Sequence, residues 1–295
     1  MKQLASDQTY ISGGSPAGNG GHCLATLALG FSRDNDTTRL TQRDHFGPLR
    51  VQKPLYPEGP STCHAIIVHP PGGVVGGDEL RIDTRVEAHA HALLSTPGAA
   101  KWYRANGQLS RQQLHMEVQA GAALEWLPQE TIFFNQADIL LESTVALQGD
   151  ARYLGCEILC FGRTASGERF DQGRIRQKLT ILRDGKPLWL EQGSLLGGSV
   201  QMQSPLGLAG HTVCASMIAV GLSLSSSLMG ELRERCMQLT QGQGKFGATQ
   251  MKSALIVRYL GDSSEVARHV MLQAWRLLRP ALLEREASEL RIWNT

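Results

Sequence analysis

Short apolar segments separated by glycine and proline dominate the chain from His22 to about residue 224. The first three cover residues 23–32, 48–57 and 63–70, and leucine or β-branched residues fill their interiors. Such segments are typical of strands, because branched side chains pack well on a pleated surface. Helical periods are absent before about residue 225, so the pattern predicts a mainly β body.

Residues 174–190 contain the clearest hairpin signal in the sequence. Two alternating segments flank Asp184 and Gly185, and this dipeptide suits a type I′ turn, in which both central residues need a positive φ. We therefore predict two antiparallel strands joined by a two-residue turn.

A weak repeat links three segments in the middle of the chain, which begin at Val86, Val118 and Leu147. Each segment carries an alanine four residues after its first position: Ala90, Ala122 and Ala151. Spacings of about thirty residues with small inward side chains are typical of stacked β coils. Coincidence among alanine-rich strands explains the pattern equally well, so the sequence leaves both interpretations open. The first interpretation predicts stacked, β-helix-like strand layers.

Two amphipathic α-helices are predicted near the C-terminus. The first covers about residues 228–239 and follows a serine cluster suited to N-capping. The second begins at Asp262, where Glu265 forms a pair like a capping box, and Pro280 is expected to end or kink it. Residues 251–260 predict a strand between the helices. The expected buried positions are Leu228, Leu232, Cys236, Leu239, Val266, Val270, Ala274, Leu277 and Leu278.

These elements define the predicted domain organisation. Residues 1–21 are polar, rich in glycine and serine and without a period, which predicts a flexible N-terminal tail. Residues 22–295 are predicted to form a single domain. It consists of a β body to about residue 224 and a helix–strand–helix appendage over residues 225–295.

The composition narrows the class of protein. The chain has 295 residues, of which 42% are hydrophobic and 19% charged, with a net charge of +2. These values are typical of a globular protein with a sizeable core, and they lack the basic surface that nucleic acid requires. No segment has the length of a membrane span, and the N-terminus lacks the apolar core of a signal peptide. We therefore expect a cytoplasmic protein with no nucleic-acid or membrane partner, whose six cysteines are reduced.

Glycine and proline concentrate between residues 69 and 77, where the backbone is predicted to make a rigid bend between strands. The glycines of this motif are Gly72, Gly73, Gly76 and Gly77. Their spacing approaches that of a phosphate-binding P-loop, but Asp78 and Glu79 stand where that loop needs Lys and Ser or Thr. The following residues alternate like a strand, which also argues against a Rossmann fingerprint. The motif therefore specifies backbone shape, and it argues against nucleotide binding.

Candidate metal ligands are scattered along the chain. Cys156 and Cys160 lie four residues apart in one strand, but a structural zinc site needs four ligands in paired short spacings, which we cannot assemble. His89 and His91 have a spacing that suits a metal, although an exposed polar strand face is the favoured interpretation. His69 is equally suited to coordinating a cation and to capping the strand. No serine fits the nucleophile elbow of a serine hydrolase.

Three glutamates interrupt apolar segments: Glu125, Glu157 and Glu191. A buried carboxylate is costly unless it is paired, hydrated or bound to a cation, so these residues indicate a polar interior. Alternation permits Glu125 and Glu191 to face outward on a strand with one solvated side. Glu157 lies between Cys156 and Ile158 and is harder to place in solvent.

Five segments of the chain resemble the UreD family of urease accessory proteins, called UreH in some systems. They cover residues 47–59, 63–80, 95–104, 124–134 and 162–168, and they include CHAIIVHPPGGVVGGDEL and LEWLPQETIFF. The match runs in order from about residue 24 to the end of the chain. Ser95 and Ala100 depart from residues that the family often has, and these departures leave the resemblance intact.

The resemblance implies a non-catalytic maturation factor, or chaperone. UreD proteins bind apo-urease and, with UreF and the GTPase UreG, help to deliver nickel to the dinuclear active site. The family fold is also mainly β, with stacked strands and a couple of α-helices. The resemblance implies no tightly bound cofactor, a transient nickel ion and, as one assembly, a dimer of UreD–UreF heterodimers.

The resemblance also implies an internal water-filled path for nickel. The carboxylates of this chain that match such a path are Asp78, Glu157 and Glu191. Oxygen ligands bind nickel more weakly than imidazole or thiolate, which suits a path that must release its cargo. Our hypothesis adds three weak metal contacts at the mouth of the path: Cys63, His64 and His69.

Aromatic residues near the bend and in the C-terminal region are candidate anchors for UreF or urease: Trp102, Tyr103, Trp275 and Trp293. Core packing is the favoured interpretation for Trp275. Two other functions stay open. One is a scaffold that positions the other factors and never contacts nickel, and the other is a metal hydrolase that uses the histidines at positions 64, 69, 89 and 91.

Overall fold

The computed structural model describes residues 22–294, so the tail predicted at residues 1–21 lies outside the described part of the chain. The strands from the first half are β1 Leu24–Asp34, β2 Thr37–Phe46, β3 Arg50–Val51, β4 Cys63–Val68, β5 Glu79–Val86, β6 His91–Ser95, β7 Ala100–Trp102, β8 Ser110–Val118 and β9 Ala123–Leu127. Those that follow are β10 Thr131–Phe133, β11 Asp138–Leu147, β12 Arg152–Phe161, β13 Arg174–Arg183, β14 Lys186–Leu196, β15 Val213–Val220, β16 Lys245–Gln250 and β17 Ala254–Gly261. The helices are α1 Val200–Gln203, α2 Ser226–Thr240 and α3 Ser264–Leu283, with short 3₁₀ helices at Thr164–Ser166 and Arg291–Asn294.

The strands form two sheets with a shared apolar core, which confirms the mainly β prediction. The first sheet has the strand order β14-β13-β11-β8-β5-β1-β2. The second sheet follows the order β16-β17-β15-β12-β9-β6-β4-β3, and the short strands β7 and β10 attach beside β12. The core between the sheets takes side chains from both, among them Leu27, Leu124, Phe133, Ile139 and Ile181.

Three successive turns of the chain stack as parallel coils, which confirms the repeat. Val86 is in register with Val118, and Val118 with Leu147, on the parallel strands β5, β8 and β11. The chain then turns into the second sheet through β6, β9 and β12, which also pair in parallel. The alanines of the repeat are buried at this corner: Ala90, Ala122 and Ala151. Because these side chains are small, neighbouring coils hydrogen-bond here through the N–H groups of Ala123 and Arg152.

The predicted hairpin is also confirmed. Strands β13 and β14 pair antiparallel across Asp184 and Gly185, whose φ angles of 50° and 75° suit a type I′ turn. The strand predicted over residues 48–57 is wrong, because only β3 and an isolated bridge at Leu55 form there. Three prolines explain the difference, since each lacks the N–H that a strand ladder needs. They are Pro48, Pro54 and Pro57.

Helices α2 and α3 confirm the two predicted C-terminal helices with small shifts. Ser225 caps α2 and Ser263 caps α3, each with a side-chain oxygen that accepts a backbone N–H. The predicted start at Asp262 is therefore one residue early. The helix does not end at Pro280 but continues to Leu283. The strand predicted over residues 251–260 is β17, and β16 precedes it in the same sheet.

The two long helices contribute to a second core against the second sheet. Side chains of α3 pack there with residues of β12, β15 and β17, and they include Val270, Ala274, Trp275 and Leu278. This burial maintains α3 beyond its proline, although a proline in a helix removes one backbone hydrogen bond. On α2, Met229 and Thr240 are buried at the places predicted for Leu228 and Leu239.

Candidate functional site

Two cavities lie between the sheets and share part of their lining. The larger has a volume of about 350 Å³ and begins at the glycine-rich bend, where His69 and Gly73 line it. The smaller has a volume of about 100 Å³ and extends to Glu191 and Arg258 near the free edge of the first sheet. The residues common to both linings are Trp126, Glu157 and Leu159. Glu157 therefore lies at the junction of the two cavities.

The bend at residues 69–77 has the rigid geometry that its glycines predict. Gly72 and Gly77 have φ angles of 80° and 90°, which favour glycine. Gly76 has a different requirement, because a Cβ at this position would overlap the backbone carbonyl of Ala105. A Cβ at Gly73 would overlap the ring of Tyr103 in the same way. The motif thus shapes one wall of the larger cavity.

Asp78 holds this bend through hydrogen bonds to the backbone. Its carboxylate accepts hydrogen bonds from the backbone N–H groups of Cys23, at 2.8 Å, and Val75, at 3.0 Å. The residue is buried and is absent from the lining of both cavities. The carboxylate therefore connects the bend to the start of β1, and the structure does not bring it together with Glu157 and Glu191.

Glu157 projects from β12 toward the first sheet, where Gln177 of β13 donates a hydrogen bond to its carboxylate. Burial raises the pKa of Glu157 to about 7; the nearby charge of Glu191 acts in the same direction, and the hydrogen bond from Gln177 opposes it. This carboxyl group can therefore bind or release a proton near neutral pH.

The raised pKa makes a testable prediction about stability. Because the folded-state pKa of about 7 exceeds the ordinary value of 4.5, the folded protein holds this proton more tightly than the unfolded chain. The resulting stabilisation is present at low pH and is lost as the pH rises through about 7. We expect Glu157→Gln to remove about 1–3 kcal/mol of this pH dependence, measured by denaturant unfolding between pH values of roughly 5 and 8.

Glu142 offers a matched control for this prediction, because it is also a partly buried strand glutamate with a glutamine donor, Gln113. It is adjacent in sequence to Leu141, which lines the larger cavity, and strand alternation directs it to the opposite face. Glu142→Gln should therefore keep the pH dependence of the wild type. Equal pH dependence in Glu157→Gln and the wild type would contradict the assignment.

Glu191 lies at the outer end of the smaller cavity and is about half exposed. Its carboxylate accepts a hydrogen bond of 2.7 Å from Arg258 of β17, so the ion pair connects the two sheets. Cys214 and Ser216 of β15 line the same cavity. Glu157 and Glu191 are therefore brought together with hydroxyl and thiol groups in the lining of one cavity.

The three predicted mouth residues occupy different surroundings. His69 lines the larger cavity, and burial lowers its pKa while the charge of Asp78 opposes that effect. Cys63 is fully buried, and its pKa is raised to about 11 by burial. His64 is buried beside Glu58, with 2.6 Å between Nε2 and the carboxylate. Of these three residues, His69 alone lines either cavity.

A buried polar cluster beneath α3 was not foreseen from the sequence. Glu125 is fully buried, and its carboxylate accepts hydrogen bonds from Arg279, at 3.1 Å, and from Trp275 Nε1, at 2.6 Å. His91 Nε2 lies 2.8 Å from the same carboxylate. Burial alone would raise the pKa of Glu125, but the hydrogen bond from His91 and the charge of Arg279 hold it below its ordinary value. Glu125 therefore does not take the outward position that strand alternation permits.

The same cluster corrects the interpretation of the histidine pair. His91 is buried at the start of β6, whereas His89 has a φ of 62° in the preceding turn and is exposed. The two residues therefore do not share an exposed strand face. Arg279 follows Trp275 by four residues, so both lie on the apolar face of α3. A charged residue on an apolar helix face is the sequence signal that could have indicated a buried acid on the sheet beneath the helix.

The proposed aromatic anchors are mostly core residues. Trp102, Trp275 and Trp293 are buried, so core packing, which was favoured for Trp275, applies to all three. Tyr103 is partly exposed and makes an edge-to-face contact with Phe134, with 4.6 Å between the ring centroids. Tyr103 therefore stays a candidate for partner contact.

Two further observations concern residues 22–294. No three His, Cys, Asp or Glu side chains in this range are placed to hold a metal ion together. None of the helices in the described part of the chain combines the length and the apolar composition that crossing a membrane requires.

Stacked parallel coils with two adjacent, partly polar cavities between their sheets define a β-solenoid-like protein. The sequence model of the family described as "UreD urease accessory protein" matches residues 24–294. The urease accessory protein UreD of Janthinobacterium sp. (strain Marseille) is 60% identical over the full length of both chains. The UreD of Nitrosospira multiformis is 51% identical over 92% of this chain and 97% of its own. The UreD of Pseudomonas fluorescens (strain Pf-5) is 49% identical over 92% and 95%. The chain belongs to the UreD family of urease accessory proteins.

Proposed function

We propose that this chain acts in urease maturation in the cytoplasm, with UreF and UreG, and provides an internal path for nickel on its way to apo-urease. The observation that supports this proposal best is the pair of cavities that meet at Glu157. Nickel would enter beside the glycine-rich bend near His69 and leave near Glu191. A dimer of UreD–UreF heterodimers is the assembly in which we expect the path to operate.

The side chains along this path suit a cation that must keep moving. A carboxylate with a pKa near 7 exchanges a proton readily for a divalent ion at neutral pH. Oxygen ligands hold Ni²⁺ less tightly than imidazole or thiolate ligands do. No three strong ligands converge within residues 22–294, so the described residues favour weak contacts in sequence over one tight site.

The proposed path assigns different roles to the three acids named from the sequence. Glu157 and Glu191 line the smaller cavity and are candidate contacts for the cation. Asp78 uses its carboxylate oxygens to accept backbone N–H groups, so its role is to hold the bend that shapes the entrance. Cys63 and His64 are not contacts of the path in this arrangement.

The decisive experiment is activation of apo-urease with nickel by the reconstituted accessory proteins. We expect Glu157→Gln to lower the activation rate roughly 10-fold, because the amide cannot supply a charged oxygen to the cation. The complex with UreF should form as with the wild type, since Glu157 lies inside the molecule. Glu142→Gln is the matched control and should activate normally.

A scaffold that never contacts nickel is the second candidate function. Exposed apolar side chains between β14 and the segment after α1 favour a partner-binding surface: Leu190, Leu196, Val200 and Leu206. A scaffold predicts that Glu157→Gln activates urease as well as the wild type while UreF binding is unchanged. That result would reject the proposed nickel path in favour of the scaffold function.

A further inference from the structure

The smaller cavity contains a row of polar side chains on adjacent strands of the second sheet. Glu157 is paired in register with Ser216, and Ser216 with Arg258, so the three residues lie side by side across β12, β15 and β17. Adjacent strands are about 4.8 Å apart, which places Arg258 within about 10 Å of Glu157. From the first sheet, Gln177 contacts Glu157 and Glu191 contacts Arg258.

The charges along this lining are two carboxylates and one guanidinium. Arg258 forms an ion pair with Glu191, so the charge of the Glu191 carboxylate is already neutralised by a cation that belongs to the protein. A divalent cation in this cavity therefore has to displace Arg258 from Glu191 before it can use both carboxylates.

This displacement requires little free energy. The side chains of Arg258 and Glu191 are 51% and 42% exposed, and ion pairs of such exposure contribute little to stability. Arg258 can move toward solvent without leaving a buried charge behind. Once the divalent ion departs, the guanidinium can return to Glu191.

We propose that Arg258 is a tethered competing cation that keeps the affinity of the smaller cavity for divalent ions low. This inference rests on the proposed function, because it assumes that the cavity receives Ni²⁺. Arg258 acts through Glu191 and is a positioning residue, since it does not bind the metal. Its presence converts a pair of carboxylates that would retain a cation into a pair that releases it.

The test is Ni²⁺ binding to the full-length protein, measured by isothermal titration calorimetry at fixed pH. Arg258→Gln should bind Ni²⁺ about two- to fivefold more tightly than the wild type, because the competitor is removed. Arg258→Lys keeps the charge and should stay close to the wild type. A purely structural role of the ion pair predicts the opposite direction, since its loss would loosen the cavity.

Arg176→Gln is the matched control. Arg176 forms an ion pair of 2.6 Å with Asp138 at similar exposure, and it is adjacent to Gln177 on β13, so it faces away from the cavity. Its replacement should leave Ni²⁺ affinity unchanged. Thermal unfolding of each variant confirms that differences in affinity do not come from a changed fold.

A second readout is urease activation, which should fall in Arg258→Gln because the cation is released more slowly. Tighter binding together with slower activation would support the proposal. Unchanged or weaker Ni²⁺ binding in Arg258→Gln overturns it, and so does the absence of measurable binding by both proteins. If Glu157→Gln still lowers the rate of urease activation in that case, the proposed nickel path is retained and only the role of Arg258 as a competing cation is abandoned. If Glu157→Gln activates normally, the proposed path fails as well.

Discussion

Replacing Arg279 with alanine is expected to lower the free energy of unfolding by about 3–5 kcal/mol, the largest effect that we predict for one side chain. Arg279 is fully buried, and its guanidinium donates to the carboxylates of Glu125 and Glu58. Burial alone would raise the pKa of Glu58, but the hydrogen bonds from His64 and Arg279 hold it at about 2. Without Arg279, the carboxylate of Glu125 stays buried, loses the guanidinium beside it and keeps only its contacts with Trp275 and His91. Equilibrium urea unfolding measures the difference.

Arg276 is the control for this substitution, because it lies on the same helix and is exposed. Arg276→Ala should change stability by no more than about 0.5 kcal/mol. The double variant Glu125→Leu with Arg279→Met should recover part of the loss, since a buried ion pair can be replaced by apolar groups of similar size. Equal stability of Arg279→Ala and Arg276→Ala would show that the cluster does not hold α3 on the sheet.

Replacing Gly76 with alanine is expected to destabilise the protein by about 3 kcal/mol. The added Cβ would overlap the carbonyl of Ala105, and a backbone atom cannot move aside as the end of a side chain can. Because the bend lines the larger cavity, the shift should also impair urease activation. Denaturant unfolding and the activation assay together measure the two effects.

Gly98 provides the comparison. A Cβ at Gly98 meets no atom within 4 Å, its φ lies outside the left-handed region, and it lines the same cavity as the bend. Gly98→Ala should therefore be neutral or slightly stabilising, because alanine restricts the unfolded chain. A loss at Gly98 as large as that at Gly76 would mean that the close approach to Ala105 is not the cause.

The substitutions of Arg279 and Gly76 change the stability of the fold. The substitutions in the cavity change a charge on its lining. Glu157→Gln leaves the shape of the side chain nearly unchanged and removes only a charge that burial already disfavours. A loss of activation in that variant therefore reports on the path and not on folding. The raised pKa also predicts that Ni²⁺ binding strengthens as the pH rises through about 7, because the cation then no longer competes with a proton.

Local signals in the sequence were sufficient for many elements of the fold. The Asp184–Gly185 turn and the serine cap of α2 each depend on residues close together in the chain, whereas the predicted start of α3 is one residue early. Backbone conformation at such positions follows from the φ preferences and hydrogen-bonding groups of a few side chains. The strand prediction for residues 48–57 is wrong because the apolar residues there favour a strand, whereas the prolines lack the N–H groups that a strand ladder needs.

The candidate site was less predictable, because its residues meet across the sheets. Glu157 and Gln177 are separated by 20 positions, Glu191 and Arg258 by 67, and Glu125 and Arg279 by 154. Alternation permits Glu125 to face solvent, because a strand pattern cannot show which face a helix will later cover. Asp78 was placed in the path by resemblance, whereas its hydrogen bonds connect it to β1.

The sequence by itself determined the mainly β class, the rigid bend and the resemblance to the UreD family, because these depend on local patterns and on long contiguous motifs. It left the stacked repeat open, and the pairing of the parallel strands decided it. Only the tertiary structure decided which acids are buried, which of them face the cavities and which are neutralised by arginine. The physical reason is that the free energy of a carboxylate depends on its solvent, hydrogen bonds and counter-charges, and distant parts of the chain supply these. Glu125 and Glu157 have similar apolar neighbours in sequence, yet one is fully buried against Arg279 and the other lies beside a cavity.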